Sequence, residues 1–278
     1  MTVSLLGLVN LLSRKPASSH RVAAGLAYGP HARQRLDVYR PKQAGADLPL
    51  VVFLYGGAWN SGDRRDYSFV GRSLAARGHV VMVPDYRVLP EVEYPEFLLD
   101  CARAVRWASS HAREFGARAS RLVLAGHSAG AYNAAMLGLD PRYGVSGDIR
   151  AVVGLSGPYD FYPFDIDISQ RTFGAVADPL TTQPINYVSE QAPPMFLASA
   201  DGDKLVYPRN TTALAARLRE RGVAVVEKHF AGGGHPTTLL ELGSVLSGKT
   251  DLVADMSAFI AAHTAVQSVL AGETSRSL

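Results

Sequence analysis

Short apolar runs rich in β-branched residues alternate with longer stretches of helical periodicity along this chain. Strands that alternate with helices form βαβ units, so the pattern predicts a mostly parallel sheet covered by helices on both faces. The predicted strands are residues 50–54, 80–83, 122–125, 152–155, 195–197 and 223–226. The predicted helices are residues 69–77, 96–115, 129–139, 207–221 and 252–262.

Three segments fall outside this alternation, within what we expect to be a single domain of residues 1–278. Residues 35–39 alternate polar and apolar side chains, which predicts a half-exposed antiparallel strand near the sheet edge. Residues 158–194 are irregular and aromatic, and they predict a small cap or lid.

Residues 1–20 form the third segment, which is apolar up to Arg14 and Lys15. That order does not fit a secretory signal, and the apolar stretch is too short to span a bilayer. We therefore expect a helical segment without stable membrane insertion. It would pack on the body, cover the mouth of a site or contact a membrane loosely.

Composition narrows the classes of partner and cofactor. The formal net charge is +3, and the arginines are scattered rather than clustered, which argues against a nucleic-acid partner. Cys101 is the single cysteine, so no intramolecular disulfide can form, and we expect a cytoplasmic location. Cys101 recurs with apolar neighbours at helical spacing, which predicts a buried, inert thiol. HExxH and CxxC patterns are absent, so we expect no metal and no other cofactor.

The strongest chemical signal is the sequence Gly-His-Ser-Ala-Gly at 126–130, between a predicted strand and a predicted helix. A sharp turn in this context exposes Ser128 as a nucleophile, and glycines at 126 and 130 relieve the crowding that such a turn creates. The alternative interpretation is a serine that caps the start of a helix. His127 is adjacent to the nucleophile, and the turn should direct its side chain away from Ser128.

A second glycine-containing loop, Tyr-Gly-Gly-Ala-Trp at 55–59, follows the strand at 50–54. A tetrahedral intermediate needs backbone N–H donors that approach its oxygen closely, and small residues allow that approach. Gly57 and Ala58 are the candidate donors from this loop, and Ala129 is the candidate from the turn after Ser128. Taken alone, the glycine pair is equally typical of an ordinary turn.

An acid and then a base should follow the serine in chain order. The loop after the strand at 195–197 contains Asp201 and Asp203, while Asp160 and Asp178 are rivals placed earlier in the chain. His235 follows three glycines beyond the last predicted strand, where it can reach back to the serine. His229 is its competitor, but it lies at or near the end of a strand.

The loop at 55–59 resembles the H-G-G-G/A-W loop of the hormone-sensitive-lipase-like and feruloyl-esterase-like (BD-FAE) carboxylesterases, with Tyr55 in place of their histidine. The resemblance continues through residues 34–41, 83–87, 184–188 and 192–194, and it covers the chain from about Val22 to His235. The Asp-x-Leu-Val pattern of that family selects Asp203 as the acid and leaves Asp201 as a flanking carboxylate.

The resemblance implies an α/β-hydrolase fold and a serine carboxylesterase that acts on a small-molecule ester. The catalytic residues would be Ser128, Asp203 and His235. Tyr55, Trp59 and His127 are expected at the wall of the substrate pocket, and the aromatic composition of residues 158–194 favours small to medium apolar or aryl esters. An amidase or arylformamidase of the same fold remains an alternative activity, and a non-catalytic binding protein of this fold remains an alternative function. For the oligomeric state, a homodimer is an open expectation.

Overall fold

The computed structural model describes residues 5–13, 15–243 and 250–265, and eight strands within these ranges form one sheet. Its spatial order is β1-β2-β4-β3-β5-β6-β7-β8. β2 is antiparallel to both β1 and β4, and every other neighbouring pair is parallel. The predicted mostly parallel sheet is therefore confirmed. The strands are β1 Ser19–Ala27, β2 Arg35–Pro41, β3 Leu48–Leu54, β4 Val80–Pro84, β5 Ala117–His127, β6 Ile149–Leu155, β7 Met195–Ala200 and β8 Val225–Phe230.

Helices cover both faces of this sheet. Every residue of β4 and of β7 is buried, and since neighbouring side chains of a strand point to opposite faces, both faces must be covered. None of the helices within the described ranges is long and apolar enough to cross a membrane. The helices are α1 Leu5–Leu12, α2 Ser68–Ala75, α3 Glu96–His111, α4 Ala129–Leu139, α5 Asp167–Phe173, α6 Arg209–Glu220, α7 Thr237–Leu240 and α8 Leu252–Thr264.

The predicted antiparallel strand near the sheet edge is present as β2, but the prediction that it is half-exposed is wrong. β1, which the pattern did not reveal, pairs with β2 and forms the edge of the sheet itself. Most of β2 is buried, including Asp37. The Asp37 carboxylate tolerates this burial because it is paired with the guanidinium groups of Arg21 and Arg64. The polar position that suggested solvent exposure is thus a buried ion pair.

Several boundaries differ from the predicted ones; the largest difference is in β5, which begins at Ala117 rather than at residue 122. β8 begins two residues later than predicted and extends to Phe230, so that His229 lies within the strand. The predicted helical segment at 1–20 contains α1, whereas Ser19 and His20 already belong to β1. Residues 1–4 and 14 of that segment lie outside the described residues.

Residues 158–194 connect β6 to β7 and contain α5 and two turns of 3₁₀-helix, Pro179–Thr182 and Pro184–Tyr187. Two buried amide side chains satisfy the irregular backbone at the start of this segment. The Asn210 side-chain oxygen accepts from the N–H groups of Tyr159 and Asp160, both at 2.9 Å. The Gln183 oxygen accepts from those of Phe161 and Tyr162. These bonds fix the backbone without regular secondary structure.

The topology brings the candidate residues to one end of the sheet. The loop at 55–59, Ser128, Asp203 and His235 follow β3, β5, β7 and β8 respectively, and these four strands run parallel within the sheet. The carboxyl ends of parallel strands meet at the same edge, which is where such sheets bind their ligands.

Candidate active site

Ser128 occupies a strained turn between β5 and α4, with φ 55° and ψ −125°. The turn has no room for side chains on either flank. A Cβ atom on Gly126 would lie 2.2 Å from the Gly130 carbonyl oxygen, and one on Gly130 would lie 2.0 Å from the Leu54 carbonyl oxygen. The two glycines therefore allow the close approach that places Ser128 at the N-terminus of α4, where a developing anion is favoured.

Ser128, His235 and Asp203 form a continuous chain of hydrogen bonds. The Ser128 Oγ atom is 2.7 Å from His235 Nε2, and His235 Nδ1 is 2.8 Å from Asp203 Oδ2. Asp203 Oδ1 accepts from the backbone N–H groups of Leu205 and Val206, at 3.0 and 2.9 Å. Because the carboxylate accepts from Nδ1–H, Nε2 is left to accept a proton from the serine.

The Asp203 carboxyl is buried, yet it stays ionised. Burial raises the pKa of this carboxyl. The hydrogen bonds from His235 and from the backbone lower it by a larger amount, so that the pKa lies below its ordinary value. A fixed negative charge beside Nδ1 orients the imidazole and stabilises the imidazolium form.

The rival carboxylates lie elsewhere. Asp178 accepts a hydrogen bond from the Leu180 N–H and caps a 3₁₀ turn, while Asp160 and Asp201 are exposed. Within the described parts of the chain, Asp203 is the one carboxylate hydrogen-bonded to His235. The structure thus brings together the three residues that the sequence selected.

The competing histidine, His229, faces a different environment on β8. Its Nδ1 atom is 3.0 Å from the Ser199 hydroxyl and its Nε2 atom is 2.9 Å from a Glu227 carboxylate oxygen. These contacts belong to the edge of the sheet, not to the turn at Ser128.

The loop at 55–59 meets the turn at Ser128 directly. A Cβ atom on Gly56 would lie 2.9 Å from the Ser128 Cβ. Gly57, Ala58 and Trp59 all have positive φ, at 136°, 48° and 55°, and the Gly57 carbonyl accepts from the N–H groups of residues 60 and 61. The Gly57 carbonyl oxygen is therefore hydrogen-bonded within the same stretch of chain.

Three backbone N–H groups next to Ser128 remain available as donors. In the described residues, the turn and loop hydrogen bonds use none of the N–H groups of Gly57, Ala58 and Ala129. Ala129 is the first residue of α4, where an N–H group has no acceptor within the helix. These are the donors that the sequence singled out for an oxyanion.

Tyr55 does not line the cleft, and the expectation that placed it there is wrong. Its side chain is fully buried, and its ring stacks between Tyr67 and Tyr86 with centroids 5.0 and 4.9 Å away. Its hydroxyl donates to Asp85 Oδ1 at 2.8 Å and accepts from Arg33 Nη2 at 3.0 Å. The charged partners and the flanking rings lie behind the loop, so they draw the side chain away from the substrate side.

Arg64 completes this arrangement. Its guanidinium is paired with both Asp37 and Asp85, and its backbone N–H donates to Asp85 Oδ1 at 2.6 Å. Burial raises the pKa of Asp85 despite the donors around it. We call Arg33, Tyr55, Arg64 and Asp85 the polar clamp. The sequence had drawn attention to residues 83–87 without assigning them a role.

His127 also fails to line the cleft, which corrects the second pocket assignment. It is buried, its ring centroid is 5.0 Å from that of His235, and Nε2 lies 3.1 Å from the His235 carbonyl oxygen. Burial, together with the nearby His235, lowers the pKa of His127 to about 3. A neutral imidazole therefore donates its Nε2–H to the backbone carbonyl of His235, so that His127 supports this segment from behind the cleft.

Trp59 does line the cleft that contains Ser128. Its indole Nε1–H donates to Asn133 Oδ1 at 3.1 Å. Its ring makes edge contacts with Phe173 and Tyr132, whose centroids are 4.9 and 5.3 Å away. The interlocked rings around it form what we call the aromatic cluster: Trp59, Phe97, Tyr132, Phe161 and Phe173.

One wall of the cleft escaped the sequence analysis. It comes from residues 204–207 and from the first turn of α6, and it includes Leu205, Tyr207 and Asn210. The sequence did contain a signal for this wall, which is the position of the segment along the chain. A helix that begins directly after the loop containing Asp203 must start beside the site.

The comparisons with known proteins agree with this geometry. Residues 36–218 match the BD-FAE family model. Esterase LipC of Mycobacterium tuberculosis is 32% identical over 240 residues, which cover 77% of this chain and 59% of that protein. Isoprenylcysteine alpha-carbonyl methylesterase ICME of Arabidopsis thaliana is 34% identical over 154 residues, which cover 52% of this chain and 36% of that protein. The chain thus spans less than two thirds of either relative.

Solved structures extend the comparison to the fold. Esterase B from Lactobacillus rhamnosis is similar with a TM-score of 0.81 and 20% identity, over 93% of this chain and 90% of that one. A truncated carbohydrate esterase from gut microbiota is similar with a TM-score of 0.78 and 20% identity, over 90% and 97% of the two chains. The predicted α/β-hydrolase fold is confirmed.

Proposed function

Because this chain belongs to the BD-FAE family, we propose that it is a serine carboxylesterase that hydrolyses small to medium apolar or aryl esters through an acyl-enzyme. The observation that carries the proposal is the unbroken chain from Ser128 through His235 to Asp203, beside a loop with free backbone donors. That combination supplies a nucleophile, a base and electrostatic stabilisation in one place.

In the first half of the reaction, Ser128 Oγ attacks the ester carbonyl carbon while His235 Nε2 takes the serine proton across 2.7 Å. The carbonyl oxygen becomes an oxyanion, which the N–H groups of Gly57, Ala58 and Ala129 bind. His235 then protonates the leaving alcohol, and the acyl group stays on Ser128. Asp203 stabilises the transient imidazolium throughout.

In the second half, a water molecule attacks the acyl-enzyme and gives its proton to His235. The same donors bind the second oxyanion. Collapse of that intermediate releases the carboxylic acid and returns the proton to Ser128, so the enzyme ends each cycle unchanged.

The substrate class follows from the cleft wall. Its lining is largely apolar and includes Trp59, Phe161, Ile166, Leu205 and Val206. Such a wall favours an apolar acyl or aryl group. We propose that residues 158–194 act as the cap, because Phe161 and Ile166 of that segment lie on the wall. Equal kcat/KM for charged and apolar esters of one size would contradict this assignment.

Two experiments test the catalytic proposal. A fluorophosphonate probe should attach covalently to Ser128 in the wild-type protein and leave the Ser128→Ala variant unlabelled. Asp203→Asn should lower kcat by about 10⁴, because the amide favours the wrong tautomer of His235. Asp160→Asn is the matched control and should leave kcat unchanged. Normal folding with no adduct on Ser128 would overturn the proposal.

The same assay separates an esterase from an amidase. Turnover of an aryl ester should exceed that of an N-formyl aryl amide of similar size, and the reverse order would favour the arylformamidase alternative. A non-catalytic binding protein is disfavoured because Ser128, Asp203 and His235 are all present in contact.

Location in the cytoplasm, a single domain of residues 1–278 and a homodimer stay predictions. The free, buried thiol of Cys101 supports a reducing compartment. Cell fractionation and sedimentation velocity would test location and oligomeric state.

A further inference from the structure

Asn210 is a buried polar residue in the cleft that contains Ser128. It lies in the first turn of α6, only 4% of its surface is exposed, and it is among the residues that line the cleft. Burial of an amide costs free energy unless its polar atoms are hydrogen-bonded. The reason for an amide in this largely apolar lining therefore lies in the hydrogen bonds that it makes.

Two segments of the chain form the walls of the cleft beside Asn210. The cap-side wall consists of residues from 158–169, the first part of the proposed cap, and the acid-side wall consists of residues 204–207, which come directly after Asp203. The cleft has a volume of about 190 Å³. Pockets that enclose a drug-sized ligand measure roughly 300–1,000 Å³, so this cleft is small and its capacity depends on the separation of its walls.

The Asn210 amide is bonded to both walls. Its side-chain oxygen accepts from the backbone N–H groups of Tyr159 and Asp160, both at 2.9 Å, and its side-chain nitrogen donates to the Tyr207 carbonyl at 3.2 Å. Among the described residues, no other side chain is hydrogen-bonded to both walls. The irregular start of the cap-side wall thus depends on Asn210 for its attachment to the acid-side wall.

The rest of the cap is attached to the body at other places. The hydroxyl groups of Tyr94 and Tyr132 donate to the carbonyl oxygens of Thr181 and Thr182, at 3.1 and 2.8 Å. Phe161 packs within the aromatic cluster. None of these contacts involves the acid-side wall. Without Asn210 the cap keeps these attachments, while its edge next to the acid-side wall loses the hydrogen bonds that hold it there.

We propose that Asn210 is a specificity-determining residue: its bonds to Tyr159 and Asp160 hold the cap-side wall beside the acid-side wall and limit the size of the ester that reaches Ser128. The inference rests on the proposed esterase function. The Asn210 side chain bonds to backbone groups of the walls and not to Ser128 or His235. Its removal should therefore change which esters fit, through KM, more than the rate at which a small ester reacts.

Kinetics on the p-nitrophenyl esters of acetate, butyrate and octanoate, each kept monomeric, test the proposal. In the wild-type protein, kcat/KM should fall from butyrate to octanoate. Asn210→Ala should raise the ratio of the octanoate to the butyrate kcat/KM by about tenfold, mainly through a lower KM for octanoate, and should leave kcat for acetate nearly unchanged. Asn210→Asp keeps an oxygen that accepts from both N–H groups, so it should retain the wild-type ratio.

The matched control is Gln183→Ala. The Gln183 oxygen also accepts from two backbone N–H groups of the cap, those of Phe161 and Tyr162, but Gln183 belongs to the cap itself. Its loss should lower the stability of the protein and leave the ratio unchanged. Urea denaturation verifies that each variant is folded. If Asn210→Ala does not fold, Asn210→Ser replaces it, because the smaller side chain leaves room for a water molecule to satisfy the two N–H groups.

Three results would overturn the size limit. The first is an unchanged ratio in the folded Asn210→Ala or Asn210→Ser variant, and the second is an equal change in Gln183→Ala. The third is an equal change in Asn210→Asp. All three leave the esterase proposal intact, since they require turnover by the wild-type protein. If the wild-type protein neither hydrolyses any of the esters nor forms an adduct with a fluorophosphonate, the esterase proposal fails and the size limit fails with it.

Discussion

The two ends of the loop at 55–59 are anchored by different kinds of interaction. At one end, Tyr55 enters the polar clamp, where its hydroxyl lies between the charged groups of Arg33 and Asp85. At the other end, Trp59 enters the aromatic cluster, where edge contacts dominate and one hydrogen bond, to Asn133, fixes the indole. Gly57 and Ala58, the candidate oxyanion donors, lie between these two anchors.

This difference determines how each end should fail. A buried charged network stabilises only while every charge has its partner, so removal of one member leaves another charge uncompensated. Aromatic packing loses stability in proportion to the contacts removed. The polar end should therefore show large, pH-dependent losses, and the aromatic end smaller losses that pH does not change.

The largest effect is expected from Arg64→Met. This change leaves the buried carboxylates of Asp37 and Asp85 without their shared guanidinium, and it should lower the free energy of unfolding by about 3–5 kcal/mol. Urea denaturation measures the loss. The control is Arg65→Met. The Arg65 side chain is 72% exposed, so its removal should lower the free energy of unfolding by less than about 1 kcal/mol. Equal losses in the two variants would contradict the buried network.

The loss in Arg64→Met should itself depend on pH. Burial already raises the pKa of Asp85, and removal of the guanidinium raises it further. The folded variant then binds a proton that the unfolded chain, with a carboxyl pKa near 3.9, has released, so its stability falls as pH rises above about 4. Urea denaturation at pH 5 and pH 8 should show the smaller defect at pH 5. A defect independent of pH would mean that Asp85 is not left with an uncompensated charge.

A smaller effect is expected from Tyr55→Phe, which removes one hydroxyl from the polar clamp. Asp85 keeps the donors of Arg64, and Arg33 keeps the Gly62 carbonyl as acceptor. The free energy of unfolding should fall by about 2 kcal/mol. If the clamp positions the loop, kcat should fall by about tenfold with little change in KM. This decrease in kcat is smaller than the one that follows removal of a whole oxyanion donor. Unchanged kcat would separate the clamp from catalysis.

The smallest effect is expected from Trp59→Phe at the aromatic end. The ring contacts largely remain, but Asn133 loses its donor, so the free energy of unfolding should fall by about 1–2 kcal/mol equally at pH 5 and pH 8. Since Trp59 lines the cleft, KM should rise. Trp107→Phe changes the other tryptophan, which lies outside the cleft, and should leave KM unchanged. A pH-dependent loss in Trp59→Phe would remove the distinction between the two ends.

The sequence predicted the parts of the site that local signals encode. The strand, turn and helix around Ser128 lie within a few residues of one another, and the chain order of Ser128, Asp203 and His235 follows from the order of the strands. The polar clamp could not be predicted in this way. Arg33, Tyr55, Arg64 and Asp85 come from four separate segments, and no spacing along the chain reveals that they meet.

Side-chain direction was the other limit. Tyr55 and His127 both adjoin the site in sequence, and both were expected at the pocket wall. The ring stack and the charged partners of Tyr55 lie behind the loop, and His127 is hydrogen-bonded to the His235 backbone. The strand β1 was missed as well. Without β1, the charged residue Asp37 predicted a solvent-exposed position on β2, although its side chain is buried.

Cys101 has a practical consequence for spectroscopy. It is the single cysteine of the chain, it is fully buried, and burial raises the pKa of its thiol, so the folded protein offers thiol reagents no reactive target. A cysteine substituted for Leu11 would consequently be labelled alone by a maleimide dye or spin label, without any background mutation. The protein is thus ready for site-specific measurements of distance and environment at any surface position.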